Sequence, residues 1–585
     1  MLPSPYNSSS TPRTQVSFAL IKRHVLARRR WWYLCLVFIA ALSLLTTSYT
    51  PRRFRFRVFK SSRPQGGPRP RPVRPAKGDL WAGRANEVRK AFVHAYTGYQ
   101  HHALPFDELR PISGERINNF HGWGVTMYDS LDTMWLMGLE DMFYDTVEDV
   151  AGANFGMEMG EHAHFFEVVI RYLGGLLSAY ALSEDPRLLK LADDLGGKLL
   201  PAFNTASGFP LRGVNTETGT TPHGPSDRDV CLAEVLSNQM EFKYLAHITG
   251  KSEYYTATER PMKAMYGEEN TMLGGLLATV WDVTTGKPNM SHMEFSASGC
   301  ADSAYEYLLK QWLMTGQKEP KMRDLYIRSA NAILEQLLYI GSHRDLLYVT
   351  ELKRAKPTNR FEHLACFLPA LLALGVETPA LGLTAGERER HSWAAEGLAQ
   401  TCWAVYNDTA TGLSPDDLIF DMWTVTERGR WATHLREWES AGRPGPPPGT
   451  SELERQPTPQ GRGYTPMKDS YLLRPEAVET FYLMWRTTGD VKWRERGWAV
   501  FQSLQTYSRV RYGYTSIRYV DERTPYKFDD MPSWFLAETL KYLFLLFTDE
   551  ELVPLDKWVF NTEAHPFPVF EWSEREIEEY EIVIE

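Results

Sequence analysis

Pairs of helices separated by a short stop recur through this chain and constrain its fold more than any other feature. An apolar helix, a stop and a second amphipathic helix repeat, and three of the stops contain Gly250, Gly316 and Gly489. A glycine just past a helix end is typical of a left-handed cap. Residues 182–185 form a similar stop without glycine, and strand signals are sparse, with one at 512–520. Repeated helical hairpins predict an all-α fold arranged as a closed ring or a solenoid.

One of these helices, at 164–180, combines a buried face with polar residues. Apolar side chains recur at helical spacing, and a second stripe contains Glu167, Arg171, Gly174, Gly175 and Ser178. Ionised groups on so apolar a helix are costly unless they are paired or used. Two interpretations stay open from these residues. Either a Glu–Arg salt bridge lies above a close helix contact, or an acid faces a central cavity where the glycines leave room for a ligand.

Acidic residues share a register within the helix pairs. Five carboxylates lie 13 to 16 residues before the stops, namely Glu167, Glu234, Asp302, Glu362 and Glu476. This difference of three residues corresponds to about 5 Å along a helix. The sequence therefore predicts that all five side chains face the same end of a ring.

Two of these acids have simpler explanations, which stay open. Asp302 would also suit the N-cap of a helix over 303–312. Glu476 follows Pro475 and would suit the first turn of a helix, where an acid interacts favourably with the helix dipole.

The N-terminal part of the chain predicts a membrane anchor. Residues 31–49 contain no charge and are long enough to span a bilayer, with aromatic side chains at both ends. We expect a cytoplasmic tail at 1–30, a signal-anchor helix at 31–49 and a Pro/Arg-rich stem at 50–78. A cleaved signal peptide is the alternative. Arginines on both sides of the span leave its orientation undetermined by charge.

Residues 79–585 form the predicted globular domain. The net charge is −9 although the first 77 residues are strongly basic, so the domain is acidic and nucleic acid is not an expected partner. Residues 436–466 are rich in proline and glycine and predict a mobile surface insertion. Asn289 and Asn407 begin glycosylation sequons. Five cysteines allow one or two disulfides, and Cys366 and Cys402 fall in consecutive predicted helices where they could be bridged.

A ring of inward carboxylates with aromatic residues is, in outline, a site for sugar hydrolysis. The motifs resemble those of the class I α-1,2-mannosidases, glycoside hydrolase family 47, across the whole globular part. The matching segments are WGVT (123–126), DSLDT (129–133), FE (166–167), IR (170–171), GGLLSAY (174–180), AE (233–234), DS (302–303), YEYLLK (305–310), EHL (362–364), CF (366–367), LRPE (473–476), ETLKYL (538–543) and FNTEAHP (560–566).

This resemblance implies an (α/α)7 barrel that is plugged at one end by a C-terminal β-hairpin and holds one Ca²⁺ at its base. It implies inverting hydrolysis of terminal α-1,2-linked mannose from high-mannose N-glycans. It also places the catalytic domain in the lumen of the endoplasmic reticulum (ER) or Golgi, on a single-pass type II anchor. The sequence does not distinguish ER from Golgi or determine the oligomeric state.

Roles for individual residues follow from the same resemblance. Glu167 resembles the general acid, Asp302 a second catalytic carboxylate, and Glu476 the base that activates water. Which of Glu167 and Asp302 donates the proton is left open. An inverting pair needs roughly 6.5–9.5 Å between its carboxyl groups.

Further residues are implied as ligands and supports. Thr562 resembles the direct calcium ligand, since Ca²⁺ prefers hydroxyl, carbonyl and water oxygens. Trp534 would stack on the sugar, and Cys366–Cys402 matches the family disulfide. The remaining polar residues would hold calcium-bound waters and sugar hydroxyls or orient the acids; they are Arg171, Glu234, Arg474, Glu479 and Glu538.

One position departs from part of the family. Members that remove a single mannose have an arginine two residues before the acid matched by Asp302, and this chain has Cys300 there. An arginine fills the cleft and binds one glycan branch, whereas a thiol does neither. We therefore expect broader trimming. The alternative is that Cys300 is only a small buried residue and that other loops set specificity.

Two other functions remain open. One is a weakly catalytic, lectin-like glycan receptor in ER-associated degradation, and the other is an α/α-toroid glycosidase that needs no calcium.

Overall fold

The structure is a computed structural model that describes residues 80–222, 224, 228–267, 271–421 and 426–584. The predicted tail (1–30), membrane helix (31–49) and stem (50–78) lie outside the described residues.

Helices dominate the described part of the chain. In order they are α1 (Leu80–His102), α2 (Val125–Leu136), α3 (Glu140–Val150), α4 (Phe165–Ser183), α5 (Pro186–Leu199), α6 (Leu232–Leu236), α7 (Gln239–Thr249), α8 (Ser252–Met265), α9 (Asp302–Met314), α10 (Pro320–Gln336), α11 (His363–Val376), α12 (Ala385–Asn407), α13 (Trp431–Ser440), α14 (Glu476–Thr488), α15 (Lys492–Ser503), α16 (Leu540–Phe547) and α17 (Glu574–Glu579). A π-helical turn, Phe535–Thr539, leads directly into α16.

The strands are short and pair only antiparallel. They are β1 (Glu108–Arg110), β2 (Glu115–Ile117), β3 (Ala163–His164), β4 (Gly213–Val214), β5 (Asp229–Cys231), β6 (Val280–Asp282), β7 (Lys287–Pro288), β8 (Glu294–Phe295), β9 (Leu338–Ile340), β10 (Leu347–Val349), β11 (Leu352–Lys353), β12 (Lys356–Pro357), β13 (Arg360–Glu362), β14 (Asp417–Phe420), β15 (Tyr464–Lys468), β16 (Ser470–Tyr471), β17 (Ile517–Arg518), β18 (Tyr526–Lys527), β19 (Trp558–Phe560) and β20 (Pro566–Pro568). Each sheet has two or three strands, and only β17 falls in the segment 512–520 that had a strand signal.

Helices α2, α4, α7, α9, α11, α14 and α16 contact one another in that order, and the turn before α16 contacts α2. Within the described residues, the contacts between these helices therefore run around a ring. Each member also packs against a second helix, in the order α3, α5, α8, α10, α12, α15 and α1. This arrangement confirms the predicted pairing of helices.

The stops between paired helices adopt the expected backbone conformation. Gly250 and Gly489 follow directly after α7 and α14, with φ of 70° and 69°. In the stop without glycine, Glu184 adopts the same left-handed region, with φ of 61°. The cap prediction is confirmed, and at Glu184 a residue other than glycine adopts the left-handed conformation.

Helix α4 is the apolar helix at the centre of the sequence argument. Among the described residues it alone is long and apolar enough to cross a membrane, but 83% of its apolar window is buried inside the structure. Burial to this extent is typical of a helix in the core of a folded domain.

The C-terminal strands β19 and β20 form an antiparallel hairpin whose turn is tied to four of the ring helices. Asn561 Nδ2 donates to the Ile170 carbonyl of α4 at 3.0 Å and to Glu241 of α7 at 2.8 Å. His565 lies 2.8 Å from Asp132 of α2, and Lys541 of α16 donates to the Ala564 carbonyl at 2.6 Å. These buried hydrogen bonds hold the turn in one position.

The two glycines of α4 serve packing. A Cβ on Gly175 would lie 2.5 Å from the Tyr128 carbonyl oxygen of α2, and one on Gly174 would lie 2.8 Å from Asn561 Nδ2. The close-contact interpretation is therefore confirmed. The idea that these glycines leave room for a ligand is wrong, because a helix and the hairpin turn fill that space.

The segment 436–466 begins inside a helix and ends in a strand. Helix α13 continues to Ser440, and β15 begins at Tyr464. In the connecting segment, the Pro448 carbonyl accepts a hydrogen bond from Trp431 Nε1 of α13 at 2.9 Å, and the buried Arg462 pairs with Asp521. The Pro/Gly-rich loop itself is therefore shorter than predicted.

Replacement of Gly175 by alanine tests the helix contact. We expect Gly175→Ala to lower the free energy of unfolding by about 1–3 kcal/mol, because a Cβ would force the backbones of α2 and α4 apart. Gly83→Ala is the matched control, since this exposed helical glycine has no atom within 4 Å of a built Cβ; it should raise stability by about 0.5–1 kcal/mol. Chemical denaturation measures both. Equal changes in the free energy of unfolding for the two variants would contradict a close contact between α2 and α4 at Gly175.

Candidate active site

A cavity of about 420 Å³ is lined by the N-terminal parts of ring helices α4, α9, α11 and α14, by α6, and by the π-helical turn before α16 and the turn of the C-terminal hairpin. Each predicted catalytic, substrate-binding and metal-binding residue lines it. They are Glu167, Arg171, Glu234, Cys300, Asp302, Arg474, Glu476, Glu479, Trp534, Glu538 and Thr562. The prediction that distant helices present these residues to one hollow is confirmed.

Glu362 is the exception among the five carboxylates of the shared register. It ends β13 and accepts hydrogen bonds from Ser298 Oγ at 2.7 Å and from the Gly299 amide at 3.1 Å. It also pairs with Arg360 at 2.5 Å. The expectation that Glu362 faces the cavity is wrong. Glu362 lies in the strand before α11 and supports the loop that leads to Asp302.

Glu167 and Arg171 form the predicted salt bridge and also face the cavity. Arg171 Nε donates to Glu167 Oε2 at 2.8 Å, and its Nη1 pairs with Glu563 and lies 3.7 Å from Asp129. Arg171 lies in a π-helical segment, Val168–Leu173, within α4. Such segments are frequent at functional sites. Glu167 therefore satisfies both interpretations: it forms the salt bridge with Arg171, and it faces the cavity.

Glu476 is the first residue of α14 and follows Pro475, as its simpler explanation predicted. Its Oε2 lies 2.7 Å from His363 Nδ1, and its Oε1 lies 3.6 Å from Arg474. Burial acts to raise the pKa of Glu476, but the hydrogen bond from His363 and the charges of His363 and Arg474 lower it below its ordinary value. The side chain is therefore a carboxylate at neutral pH.

Asp302 begins α9, and the residue in the cap position is Ala301, so the N-cap explanation is wrong. Loss of hydration raises the pKa of Asp302 to about 7, helped by the nearby charges of Glu306, Glu476 and Glu362. A hydrogen bond from the Ser303 amide at 2.8 Å only partly opposes this shift. Near pH 7 Asp302 consequently holds a proton for part of the time.

A second group of acids also lines the cavity. Burial raises the pKa of Glu479, Glu538 and Glu563, and repulsion between the neighbouring carboxylates adds to the effect. Lys310 pairs with Glu306 and lies 3.6 Å from Glu479. The positive charges of Lys310 and Arg171 offset only part of this effect on the pKa values.

Thr562 lies beside these acids in the turn of the C-terminal hairpin and lines the cavity. Within the described residues, no group of three or more His, Cys, Asp or Glu side chains is arranged to hold a metal directly. A hydroxyl and carbonyl oxygen, with carboxylates nearby to hold water, is instead a donor set that suits Ca²⁺.

The aromatic and polar walls of the cavity are also ordered. Trp534 Nε1 donates to the Leu472 carbonyl at 3.1 Å, and the guanidinium groups of Arg171 and Arg474 lie 5.6 and 5.7 Å from its ring centre. At the opposite wall Glu234 accepts from Arg212 at 3.0 Å and lies 3.5 Å from His164. Arg474 is oriented by Asp416 at 2.7 Å.

Two disulfides are present in the described residues. Cys366–Cys402 joins α11 to α12, which confirms the pairing. Cys300 is bonded to Cys231, so its description as a thiol or a small buried residue is wrong. The sequence does not indicate that Cys231 pairs with Cys300, because the two cysteines are 69 residues apart. They meet where β5 and the loop before α9 come together.

The profile of glycosyl hydrolase family 47 matches residues 91–569. The chain belongs to this family. It is 36% identical to the human endoplasmic reticulum mannosyl-oligosaccharide 1,2-alpha-mannosidase over 491 residues, and 34% identical to human mannosyl-oligosaccharide 1,2-alpha-mannosidase IB over 495 residues. Each match covers 83% of this chain. It covers 64% of the length of the first relative and 70% of the length of the second.

A solved structure of this family has the same fold. The alpha-1,2-mannosidase from Trichoderma reesei matches with a TM-score of 0.72 and 28% identity, over 83% of this chain and 99% of that one. The described helices of this family 47 chain therefore adopt the arrangement of an alpha-1,2-mannosidase.

Several residues of the site were not assigned roles from sequence. His363, Glu306, Lys310 and Glu563 all lie within the motifs that carry the family resemblance, which was the signal available. Asp416 lies outside those motifs and is recognisable only by its contact with Arg474.

The raised pKa of Asp302 predicts a stability change with pH. In the unfolded chain the group ionises near pH 4, so in the folded family 47 domain it costs stability increasingly as pH rises from about 4 to 7. We expect Asp302→Asn to raise the free energy of unfolding by about 1–3 kcal/mol at pH 8, and to change it little at pH 3.5. The exposed Glu217→Gln should have no effect at either pH. Denaturation at both pH values measures this, and a pH-independent difference would contradict it.

Proposed function

We propose that this protein removes terminal α-1,2-linked mannose from high-mannose N-glycans by hydrolysis with inversion. One observation carries the proposal: Asp302 and Glu476 line one cavity, and their pKa values are displaced in opposite directions. Carboxyl groups whose environments push their pKa values apart are suited to act as acid and base. The names of the relatives support the substrate class.

Glu476 is the proposed base. Its carboxylate is kept ionised by His363 and Arg474, so it can take a proton from the attacking water. His363 is itself held by Tyr406, whose hydroxyl lies 2.6 Å from Nε2. This chain of contacts fixes the ring, and Nδ1–H donates to Glu476.

Asp302 is the proposed proton donor to the leaving oxygen. It keeps a proton near neutral pH, which a general acid must do before the bond breaks. Glu167 remains the second candidate of the sequence analysis, and its hydrogen bond from Arg171 suits a carboxylate that orients a water beside the leaving oxygen. The required separation of acid and base, roughly 6.5–9.5 Å, stays a prediction.

We further propose that the helix ring is an (α/α)7 barrel and that the C-terminal hairpin is its plug. Seven successive helix pairs among the described residues, and the hydrogen bonds that tie the hairpin turn to α2, α4, α7 and α16, support this architecture. In this architecture Thr562, which lines the cavity, would lie at the base of the barrel.

A calcium ion at Thr562 fits the residues present. Burial and mutual repulsion raise the pKa values of Glu479, Glu538 and Glu563, and an added cation would lower them and favour the ionised carboxylates. When bound, Ca²⁺ coordinates oxygen atoms and grips a vicinal diol of the sugar. Trp534 would pack on the mannose ring while Glu234 and Arg474 orient its hydroxyl groups and the acids.

The compartment follows from the disulfides and the relatives. Two disulfides in one domain are typical of an oxidising compartment. The names of the relatives support the secretory pathway, and we propose that the domain lies in the lumen of the ER or Golgi on the type II anchor at 31–49.

Loss of the base tests the activity directly. Glu476→Gln should lower kcat/KM for mannose release about a thousandfold, because a neutral amide accepts no proton from water. Chelation with EDTA should abolish release and lower the Tm, and added Ca²⁺ should restore both. Glu217→Gln serves as the control. Glycan binding by the wild-type protein without any release would instead favour the lectin-like receptor, and activity unaffected by EDTA would favour a toroid glycosidase without calcium.

The product pattern tests the proposed breadth of trimming. Cys300, bonded to Cys231, does not place a guanidinium in the cleft, so no arginine at this position restricts the glycan branches. We expect a time course on Man9GlcNAc2, with isomers resolved by chromatography, to continue below Man8. A digestion that stops at one Man8 isomer would contradict this.

A further inference from the structure

The Cys231–Cys300 disulfide lies in the wall of the cavity, between two segments that carry site residues. Cys231 ends β5 and directly precedes α6, which contains Glu234. Cys300 is two residues before Asp302, the first residue of α9. Both cysteines line the cavity. The bond therefore joins the start of α6, the short helix that precedes ring helix α7, to the loop before ring helix α9.

Hydrogen bonds order the backbone on both sides of the disulfide. The Ala233 amide donates to the Cys300 carbonyl at 3.0 Å, and the Cys231 amide donates to Glu234 Oε2 at 2.9 Å. The Asp302 amide donates to the Ser298 carbonyl at 2.9 Å. Cys300 itself has φ of 74°, a left-handed conformation that a non-glycine residue adopts only when its surroundings hold it there.

The two disulfides differ in their access to solvent. Cys366 and Cys402 are 0% and 1% exposed, so no reagent reaches them in the folded protein. Cys231 and Cys300 are partly exposed at the cavity wall. The guanidinium of Arg212 lies 3.9 Å from Cys231 Sγ. A nearby cation stabilises a thiolate, and a sulfur that leaves as a stabilised thiolate is displaced more readily.

We propose that the Cys231–Cys300 disulfide is a positioning element of the glycan cleft that a dithiol can reduce selectively in the folded protein. This inference rests on the proposed function, because it assigns the disulfide a part in holding the glycan. Intact, the bond fixes Glu234 and its partners Arg212 and His164 relative to Asp302. When the bond is broken, the loop 296–301 can move and the glycan cleft becomes wider.

The reduction is a thiol–disulfide exchange. A thiolate of the dithiol attacks Cys300 Sγ, the S–S bond breaks, and Cys231 leaves as a thiolate beside Arg212 and then takes up a proton. The second thiol of the reagent then displaces Cys300 from the mixed disulfide. The protein gains two electrons and two protons, and the reagent ends as a cyclic disulfide.

Differential alkylation tests the selectivity without any need for activity. The folded full-length protein with its natural cysteines is treated with dithiothreitol, labelled with iodoacetamide and mapped by mass spectrometry. Cys231 and Cys300 should be labelled, whereas Cys366 and Cys402 should be labelled only after denaturation. Failure to label the first pair, or labelling of all four together, would overturn the proposal.

Kinetics on Man9GlcNAc2 test the positioning role. Reduced and alkylated wild type, and the double variant Cys231→Ser/Cys300→Ser, should both show KM raised about fivefold with kcat changed less than about twofold, because ground-state contacts to the sugar are lost. Reoxidation of reduced, unlabelled wild type should restore KM. Dithiothreitol should not change the kinetics of the double variant, which controls for effects on Cys366–Cys402.

The outcomes separate this inference from the proposed function. If untreated wild type releases no mannose, the hydrolase proposal fails, while the alkylation result still tests reducibility. If wild type is active and neither reduction nor the double variant changes KM, the positioning role fails alone. A parallel fall of kcat and of Tm in the reduced protein would identify a merely structural bond and also overturn the proposal.

Discussion

The buried guanidinium of Arg171 joins the parts of the chain that build the site. It contacts Glu167 on its own helix, Glu563 in the C-terminal hairpin turn and Asp129 on α2. Removal of one partner from a buried charge pair typically costs about 3–5 kcal/mol, because the remaining charge is left uncompensated. Arg171 therefore holds the acid wall of the cavity and the hairpin turn together, and the position of Thr562 depends on it.

The rest of the polar interior follows the same rule, that buried charge is tolerated only where it is shared. Lys541 and His565 both contact Asp132, at 2.9 and 2.8 Å, with all three side chains buried. Around the cavity the compensation is incomplete, as the raised pKa values of Glu479, Glu538 and Glu563 indicate. Such a site costs stability, because buried carboxyl groups without full compensation disfavour their charged form.

Much of the site could be predicted from sequence because its residues begin helices at a repeated position. Glu167, Asp302 and Glu476 precede stops whose spacing is visible in the chain, and a helix converts that spacing into position along its axis. Glu362 shares the spacing but ends a strand, so the rule failed where the element type changed. Gly174 and Gly175 likewise signalled close packing, but the sequence could not say that the neighbours are the Tyr128 backbone and Asn561.

The sequence by itself determined the paired helices, their left-handed stops, the family and the identity of the carboxylates, because these depend on local spacing and residue type. Only the tertiary structure decided which groups meet across the ring. His363 against Glu476, Asp416 against Arg474 and Cys231 against Cys300 each join segments that are far apart in the chain. The protonation of the acids was also decided at this level, because a pKa depends on burial and on neighbouring charges that no linear spacing reveals.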